Sequence, residues 1–370
     1  MPSLDKVKTL VKRIIQPESF KPFLGDQPYG GPEGSSITMV MVCREGFDIN
    51  VSNANSALRL GYCRGFAQIG VRYRLVSVFE LGRVLPEMQR PFVFLSTYDY
   101  KDLNDEALKV LRSYPHFTWV YPWFKGMEGV YAEHDLPLPD MSMKVVRRIL
   151  DSGAAFGFGL GPSSCATFFE EWSKRGLRWE SLPLACDTDR YFPEPSDRRY
   201  ADVKVAFVGG YWQYKSIQFD KYLKPYEDIL KVFGYSRWPY KGYGGLLPDG
   251  DERVLYQNAR VCPALSEPHA EVMGDIVERA FKVMGSGGLA IPDATPFYRE
   301  LFAPDELLVP SSLDEYHHMM WQALSDSEFN QRFRSKGYEA ILARHTYAHR
   351  ARRILNLLGM NLPANSQAGQ

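Results

Sequence analysis

Two doubly wound α/β domains in tandem are what this 370-residue chain predicts. Three observations carry that expectation. From Ser36 onward, short apolar runs alternate with helical stretches, the pattern of a mostly parallel sheet with helices on both faces. A proline- and charge-rich segment, CDTDRYFPEPSDRRYAD (Cys186 to Asp202), interrupts the series and reads as a linker. Length agrees, because 370 residues exceed what one hydrophobic core normally supports.

The elements follow in order. MPSLDKVKTLVKRIIQ forms a short amphipathic basic helix, with Leu4, Val7, Leu10, Val11, Ile14 and Ile15 on one side. It could skim an anionic membrane surface, although such a helix more often packs on its own protein, which is the favoured reading. Ile37 to Cys43 is an apolar run suited to a strand buried on both faces. The polar loop REGFDINVSNAN leads into a helix that runs through Gln68 and ends at Gly70, with Asn53 or Asn55 as its cap. Strands are expected at Arg72–Val78, Phe92–Ser96 and Phe117–Tyr121, and a helix around Asp105–Arg112. Val145–Leu150 and Cys165–Lys174 read as helices, Ala154–Phe158 and Arg178–Leu184 as strands.

After the linker a second series begins. Val203–Val208 is its first strand, turning at Gly209-Gly210 into a helix from about Phe219. Lys231–Phe233, Arg260–Ala264 and Leu307–Val309 are further strands, followed by a helix near Leu313–Leu324 and one last long helix. The densest stretch is GDIVERAFKVMGSGGLAIPDATPFYRELF, from Gly274. A helix from Asp275 to Met284 shows an apolar face of Ile276, Ala280, Phe281, Val283 and Met284. Gly285, Gly287 and Gly288 break it, and Leu289–Ile291 is a buried strand closed by Pro292. Such a unit lies at the carboxyl edge of a parallel sheet, where small ligands bind.

Composition excludes several function classes. The 44 basic and 44 acidic residues cancel, so no global charge favours nucleic acid as a partner. Five scattered cysteines without a CxxC pair suggest neither a disulfide framework nor a zinc site, and fit a reducing cytoplasm. No signal peptide or apolar run of membrane-spanning length is evident. Aromatic content is 14%, with many rings in loops, a surface that suits sugar rings but equally fills cores.

Residues 203–358 resemble the C-terminal domain of the CgeB-like, family-4-related glycosyltransferases of GT-B fold. VAFVGGYW resembles that domain's opening strand and glycine turn. VFGYSRW and YGGLLPDGDERVLYQNARVCPALS resemble the second strand and the loop, helix and strand that follow. GDIVERAF with MGSGGLAI resembles the donor-site helix and turn, ELFAPDELLVPSSLDEY the next strand and helix, and ARHTYAHRARRIL the terminal helices. Upstream, LPLACDTDRYFPE resembles the hinge, and AQIGVRYRLVS the first helix and second strand of the acceptor domain.

The resemblance implies an N-terminal helix and loop (1–35), an acceptor domain (36–186), a hinge (187–202), a nucleotide-sugar domain (203–345) and a C-terminal helix and tail (346–370). The two Rossmann-like domains would face each other across a cleft, with the last helix crossing back to the first domain. The implied activity is transfer of a sugar from a nucleotide sugar to an acceptor hydroxyl, with retention of anomeric configuration, no metal and no further cofactor. The acceptor would be a glycan, lipid or small molecule, not nucleic acid, in the cytoplasm.

Such a transferase must stabilise the negative charge that grows on the departing diphosphate, with backbone N–H groups or cations. Gly209 and Gly210 would let the backbone approach the donor, and Lys215 just beyond is a diphosphate cation or a solvated loop lysine. Arg279 is the strongest cationic candidate, where the family carries an arginine; the plainer alternative is an ion pair with Asp275 one turn earlier. Arg237, in VFGYSRW, joins the donor set. Asp275 or Glu278 would bind sugar or ribose hydroxyls, and Gly287 and Gly288 shape the turn beside them. Lys282 stands where the family usually has the glutamate that holds the ribose; a lysine donates hydrogen bonds but cannot accept them.

In the first domain Asp99 follows a strand end and could act as a base or hold an acceptor hydroxyl, and otherwise caps a turn. Asn53 and Asn55 are acceptor contacts or caps, and His269 could meet the sugar or phosphate. His345 and His349 suit interdomain packing. The triplet Asp187-Thr188-Asp189 imitates a metal-binding DxD, but its place before Arg190-Tyr191-Phe192-Pro193 favours the hinge. GFGLGPSS imitates a dinucleotide fingerprint, with the third glycine one residue early. Two rival functions follow: a non-catalytic sugar-nucleotide-binding or scaffold protein, suggested by Lys282, and an NAD(P)-dependent oxidoreductase.

Overall fold

The computed structural model describes residues 29–43, 54–122, 142–267, 270, 274 and 276–361. The chain forms two compact units: Met1–Trp119 with Met141–Phe156 and Ile354–Gln370, and Val120–Asp140 with Gly157–Arg353. The basic N-terminal helix expected over the first sixteen residues lies outside the described residues.

In chain order the first part carries β1 (Tyr29–Gly30), β2 (Thr38–Cys43), α1 (Ala54–Gln68), β3 (Arg72–Ser77), α2 (Leu81–Val84), β4 (Pro91–Ser96), α3 (Asp99–Asp102), α4 (Asp105–Leu111), β5 (His116–Trp119), α5 (Met143–Ser152), β6 (Phe156–Gly159), α6 (Glu170–Lys174) and β7 (Trp179–Ser181). The strands form one sheet of order β1-β3-β2-β4-β5-β6-β7. β2 lies parallel to β3 and to β4, with Thr38 opposite Arg72 on one side and Pro91 on the other. Every residue of β2 and β4 is buried, which is why both read as continuous apolar runs rather than alternating ones. The core beside this sheet includes a row of stacked rings, Phe94 on Phe117 at 5.1 Å and Phe117 on Phe156 at 5.4 Å. Asn104 caps α4 by accepting from the Ala107 N–H at 2.7 Å.

The second series comprises β8 (Val205–Val208), α7 (Ser216–Tyr222), β9 (Leu230–Phe233), α8 (Asp251–Asn258), β10 (Cys262–Ala264), α9 (Glu278–Gly285), β11 (Ala290–Pro292), α10 (Leu313–Ser325), α11 (Ser327–Arg344) and α12 (Tyr347–Leu357). β8 pairs with β9, and β10 with β11, both parallel. A parallel bridge between Val205 and Val261 and the Ala206 N–H bonded to the Val261 carbonyl at 3.0 Å join the two pairs. The resulting order is β9-β8-β10-β11, so the direction of winding reverses between β8 and β10. Phe207, Phe219, Trp238, Leu265, Ile291, Tyr316 and Met320 form part of the core beneath.

Three expectations are corrected. Leu307–Val309 is buried but makes no strand. Pro310 follows without an N–H, and the Val309 carbonyl accepts instead from Arg299 at 3.1 Å. The last long helix is two helices. Its backbone breaks at His345-Thr346, where the Cys186 N–H donates to the His345 carbonyl at 2.8 Å and Tyr347 N–H to the Cys186 carbonyl at 3.1 Å. α9 starts at Glu278, three residues later than the apolar period suggested.

The Cys186–Asp202 segment holds no helix and only the bridge at Cys186. Its polar side chains are tied to α8: the Tyr200 hydroxyl donates to Asp251 at 2.6 Å, the Tyr191 hydroxyl to Glu252 at 2.7 Å, and Arg253 pairs with Glu194 at 2.7 Å.

Candidate functional site

Where winding reverses in a parallel sheet, the loops after two neighbouring strands diverge and leave a crevice at their carboxyl ends. In the second unit these are the loops after β8 and β10. β8 ends at Val208 and runs into Gly209-Gly210; β10 ends at Ala264 and runs into Leu265, Ser266 and Glu267.

Arg279, second residue of α9, reaches both ends. Its Nε donates to the Val208 carbonyl at 3.0 Å and its Nη1 to the Leu265 carbonyl at 3.0 Å. The guanidinium lies over the Phe207 ring, 4.2 Å from its centroid. Nη2 is turned toward Gly209, where an added Cβ would come within 3.0 Å of it. No carboxylate pairs with Arg279 among the described residues.

The glycines after β8 and β9 are closely packed. The Gly209 carbonyl accepts from the Trp238 indole N–H at 2.9 Å. It also lies so near Gly234 that a Cβ there would sit 2.1 Å from the oxygen. A Cβ on Gly210 would meet the Tyr235 ring at 3.0 Å, and the Tyr211 N–H donates to the Ser236 hydroxyl. The loop after β9 thus buttresses the loop after β8. Lys215 closes the turn and pairs with Glu267 from the loop after β10, and the Tyr214 hydroxyl donates to the other Glu267 oxygen at 2.9 Å. Burial pushes the Lys215 ammonium below its ordinary range, Glu267 pulls it back, and the Arg279 charge pushes it down again. Ser266 ties β10 to β11 by donating its N–H (2.7 Å) and hydroxyl (3.0 Å) to the buried Asp293 carboxylate.

The other donor-set residues divide. Glu278 and Lys282 face each other along α9, Nζ to Oε2 at 3.0 Å, the glutamate buried and the lysine 11% exposed. The Tyr347 hydroxyl donates to Glu278 at 2.9 Å. Glu252 lies 3.9 Å from Lys282 Nζ and accepts from the hydroxyls of Tyr191 and Tyr256. Burial alone would lower the lysine and raise both acids. The two carboxylates outweigh it for Lys282, which lies above its ordinary value, and Glu278 stays raised. Gly287 (φ +75°) lies under Pro193, and a Cβ on Gly288 would sit 2.2 Å from the Tyr256 carbonyl oxygen, so both shape the turn. Arg237 is exposed on the loop after β9. Asp275 and His269 lie outside the described residues, as does Asn53; Asn55 falls within α1.

In the first unit Asp99 is fully buried. It pairs with Arg59 at 3.1 Å and accepts from the Ser96 N–H at 2.6 Å and hydroxyl at 2.9 Å. Arg59 also donates to the Val42 carbonyl. Burial pushes the nearby Cys43 thiol up to about 12. This cluster also sits where winding reverses, between β2 and β4, but here the arginine is neutralised.

Residues 192–356 match the family model described as glycosyl transferase-like. No curated protein matches the chain. Among solved structures, sucrose-phosphate synthase from Thermosynechococcus elongatus matches with a TM-score of 0.59 at 12% identity, over 86% of this chain and 98% of its own. The fold is GT-B. T4 phage BGT in complex with UDP and Mn2+ matches at 0.55 and 11% over 88% of this chain and 100% of its own, and Anabaena HepE in complex with UDP and glucose at 0.56 and 10% over 87% and 99%. A glycosyl transferase-like segment on a GT-B fold supports a glycosyltransferase. The match is at the level of that broad family, coarser than the CgeB-like branch.

Among the described residues no group of three or more His, Cys, Asp or Glu is placed to hold a metal ion, and no helix is long and apolar enough to cross a membrane. Sequence reasoning missed Glu267 and Ser236, and it offered Trp238 only as one of several loop aromatics; their partners are set by loop packing. It also missed Glu252, Tyr191 and Tyr347 around Lys282. Their only signal was polar or aromatic residues in segments read as loop, linker or terminal helix.

Proposed function

We propose that this protein transfers a sugar from a nucleoside-diphosphate sugar to an acceptor hydroxyl, with the diphosphate at the carboxyl ends of β8 and β10. Arg279 carries the reading. Two of its nitrogens are spent on the Val208 and Leu265 carbonyls, which fix the guanidinium in place, and no carboxylate among the described residues cancels its charge. A cation held in place beside the closely packed Gly209-Gly210 backbone suits a leaving diphosphate. The anomeric C–O bond to the diphosphate breaks with its electron pair left on the diphosphate oxygen, the acceptor oxygen bonds to the anomeric carbon, and the hydroxyl proton passes to the departing diphosphate. Arg279 and Lys215 meet the growing charge, so the proposed reaction needs no metal. Retention of configuration enters from the family resemblance.

Asp99 is assigned to the fold rather than to the chemistry, because Arg59 and Ser96 engage its carboxylate in a fully buried position. Zero net charge favours a glycan, lipid or small-molecule acceptor over nucleic acid. Five free, buried cysteines support a reducing compartment, the cytoplasm.

The test is a thermal-shift screen against uridine, guanosine, thymidine and cytidine diphosphates and their sugars, followed by donor hydrolysis assays. One nucleotide class should raise the midpoint by mass action and its sugar should be hydrolysed slowly. Arg279→Lys, which loses the planar fork, should weaken that binding. The absence of any stabilising nucleotide would overturn the reading. Binding without hydrolysis or transfer would favour the non-catalytic binder that Lys282 suggests.

A further inference from the structure

Lys215 and Glu267 reach each other from different loops, and the pair is asymmetric. The lysine side chain is 13% exposed and the carboxylate 33%. The Tyr214 hydroxyl holds the second carboxylate oxygen at 2.9 Å, so Glu267 is kept against the lysine from two sides. A mostly buried ammonium has little water to turn to, whereas the glutamate needs only a rotation to regain hydration.

We propose that Glu267 is an internal competitor for Lys215, and that a diphosphate gains the ammonium only by displacing this carboxylate. The proposal rests on reading the loops after β8 and β10 as the diphosphate site, and adds a selectivity device to it. A ligand with two anionic groups engages the fixed Arg279 first and then outcompetes Glu267 for Lys215. A ligand with one anionic group lacks the second contact that makes displacement favourable. The apparent affinity of any anion is reduced by the fraction of molecules in which Lys215 is already paired.

The experiment is calorimetric titration of inorganic pyrophosphate, and separately of uridine diphosphate, into the full-length protein, Glu267→Gln and the double variant Lys215→Met with Glu267→Gln. Glu267→Gln keeps the hydrogen bond to Tyr214 but not the charge, and should tighten pyrophosphate binding about five-fold or more. The gain should vanish in the double variant, because it runs through Lys215. The proposal is overturned if Glu267→Gln binds no better than the unmodified protein, if the gain survives in the double variant, or if neither protein binds pyrophosphate. Failure of the transferase reading shows separately, as no hydrolysis or transfer from any nucleotide sugar, and leaves the pyrophosphate comparison intact.

Discussion

Lys282 and Glu278 form a largely buried ion pair across one turn of α9, Nζ to Oε2 at 3.0 Å, with Glu252 3.9 Å from the lysine on α8. One lysine therefore serves two largely enclosed acids, which also accept from the Tyr191, Tyr256 and Tyr347 hydroxyls. Removing the lysine leaves two carboxylates facing each other out of water. Lys282→Met should cost about 3–5 kcal/mol in urea unfolding, the range for breaking a buried pair. Adding Glu278→Gln should recover part of that loss. Lys282→Glu, although it restores the residue type usual in the resembling family, should be worse than Lys282→Met. A Lys282→Met protein as stable as the parent would show that the pair does not hold α9.

Asp99 offers a comparable test with a functional edge. Asp99→Asn strands the Arg59 guanidinium, which is buried against the Val42 carbonyl and Ser96. We expect a loss of about 3–5 kcal/mol in unfolding free energy. An Asp99→Asn variant of parental stability but without transferase activity would return Asp99 to the role of catalytic base.

Both arginine clusters bear on what the sequence could show. Buried strands such as β2 and β4 announce themselves because burial on both faces demands an unbroken apolar run, and the GGYW and GSGG turns are visible because close backbone approach excludes a Cβ. Partners of charged side chains are not so legible. Arg279 and Arg59 look alike in sequence, yet one is neutralised by a carboxylate 40 positions away and the other is spent on two carbonyls. Leu307–Val309 misled for the opposite reason: its apolar run is real, but Pro310 and the side-chain bond to Val309 leave no ladder to join.

The glycines after β8 and β9 separate packing from function. A Cβ at Gly234 would meet the fixed Gly209 carbonyl at 2.1 Å, whereas one at Gly209 would meet Arg279 Nη2, the end of a flexible side chain, at 3.0 Å. Gly234→Ala should therefore destabilise by roughly 2–4 kcal/mol, with backbone movement in both loops. Gly209→Ala should cost about 1 kcal/mol or less in stability yet weaken nucleotide binding several-fold by displacing the guanidinium. Thermal midpoints and nucleotide titrations on the two variants decide it; equal stability losses would refute the distinction.

His345 gives a pH dependence whose sign is fixed by its surroundings. Its Nε2 lies 3.0 Å from the Leu301 carbonyl and its Nδ1 3.2 Å from Arg350 Nη2, so the neutral ring donates at one nitrogen and accepts at the other. Phe302 packs against it at 4.5 Å. Burial, then the charge of Arg350, lowers its pKa from 6.5 to about 3, against the opposing bond to Leu301. The unfolded chain takes up the proton near 6.5, the native state only near 3. Stability contributed by the neutral ring is complete above the higher value and falls as the pH drops through the window, by roughly 3–5 kcal/mol in all. Urea midpoints measured between about pH 4 and pH 7 should decline toward acid more steeply for the parent than for His345→Gln, which has no proton to gain. Parallel curves for the two proteins would mean that the ring titrates in the native state as it does in the unfolded chain.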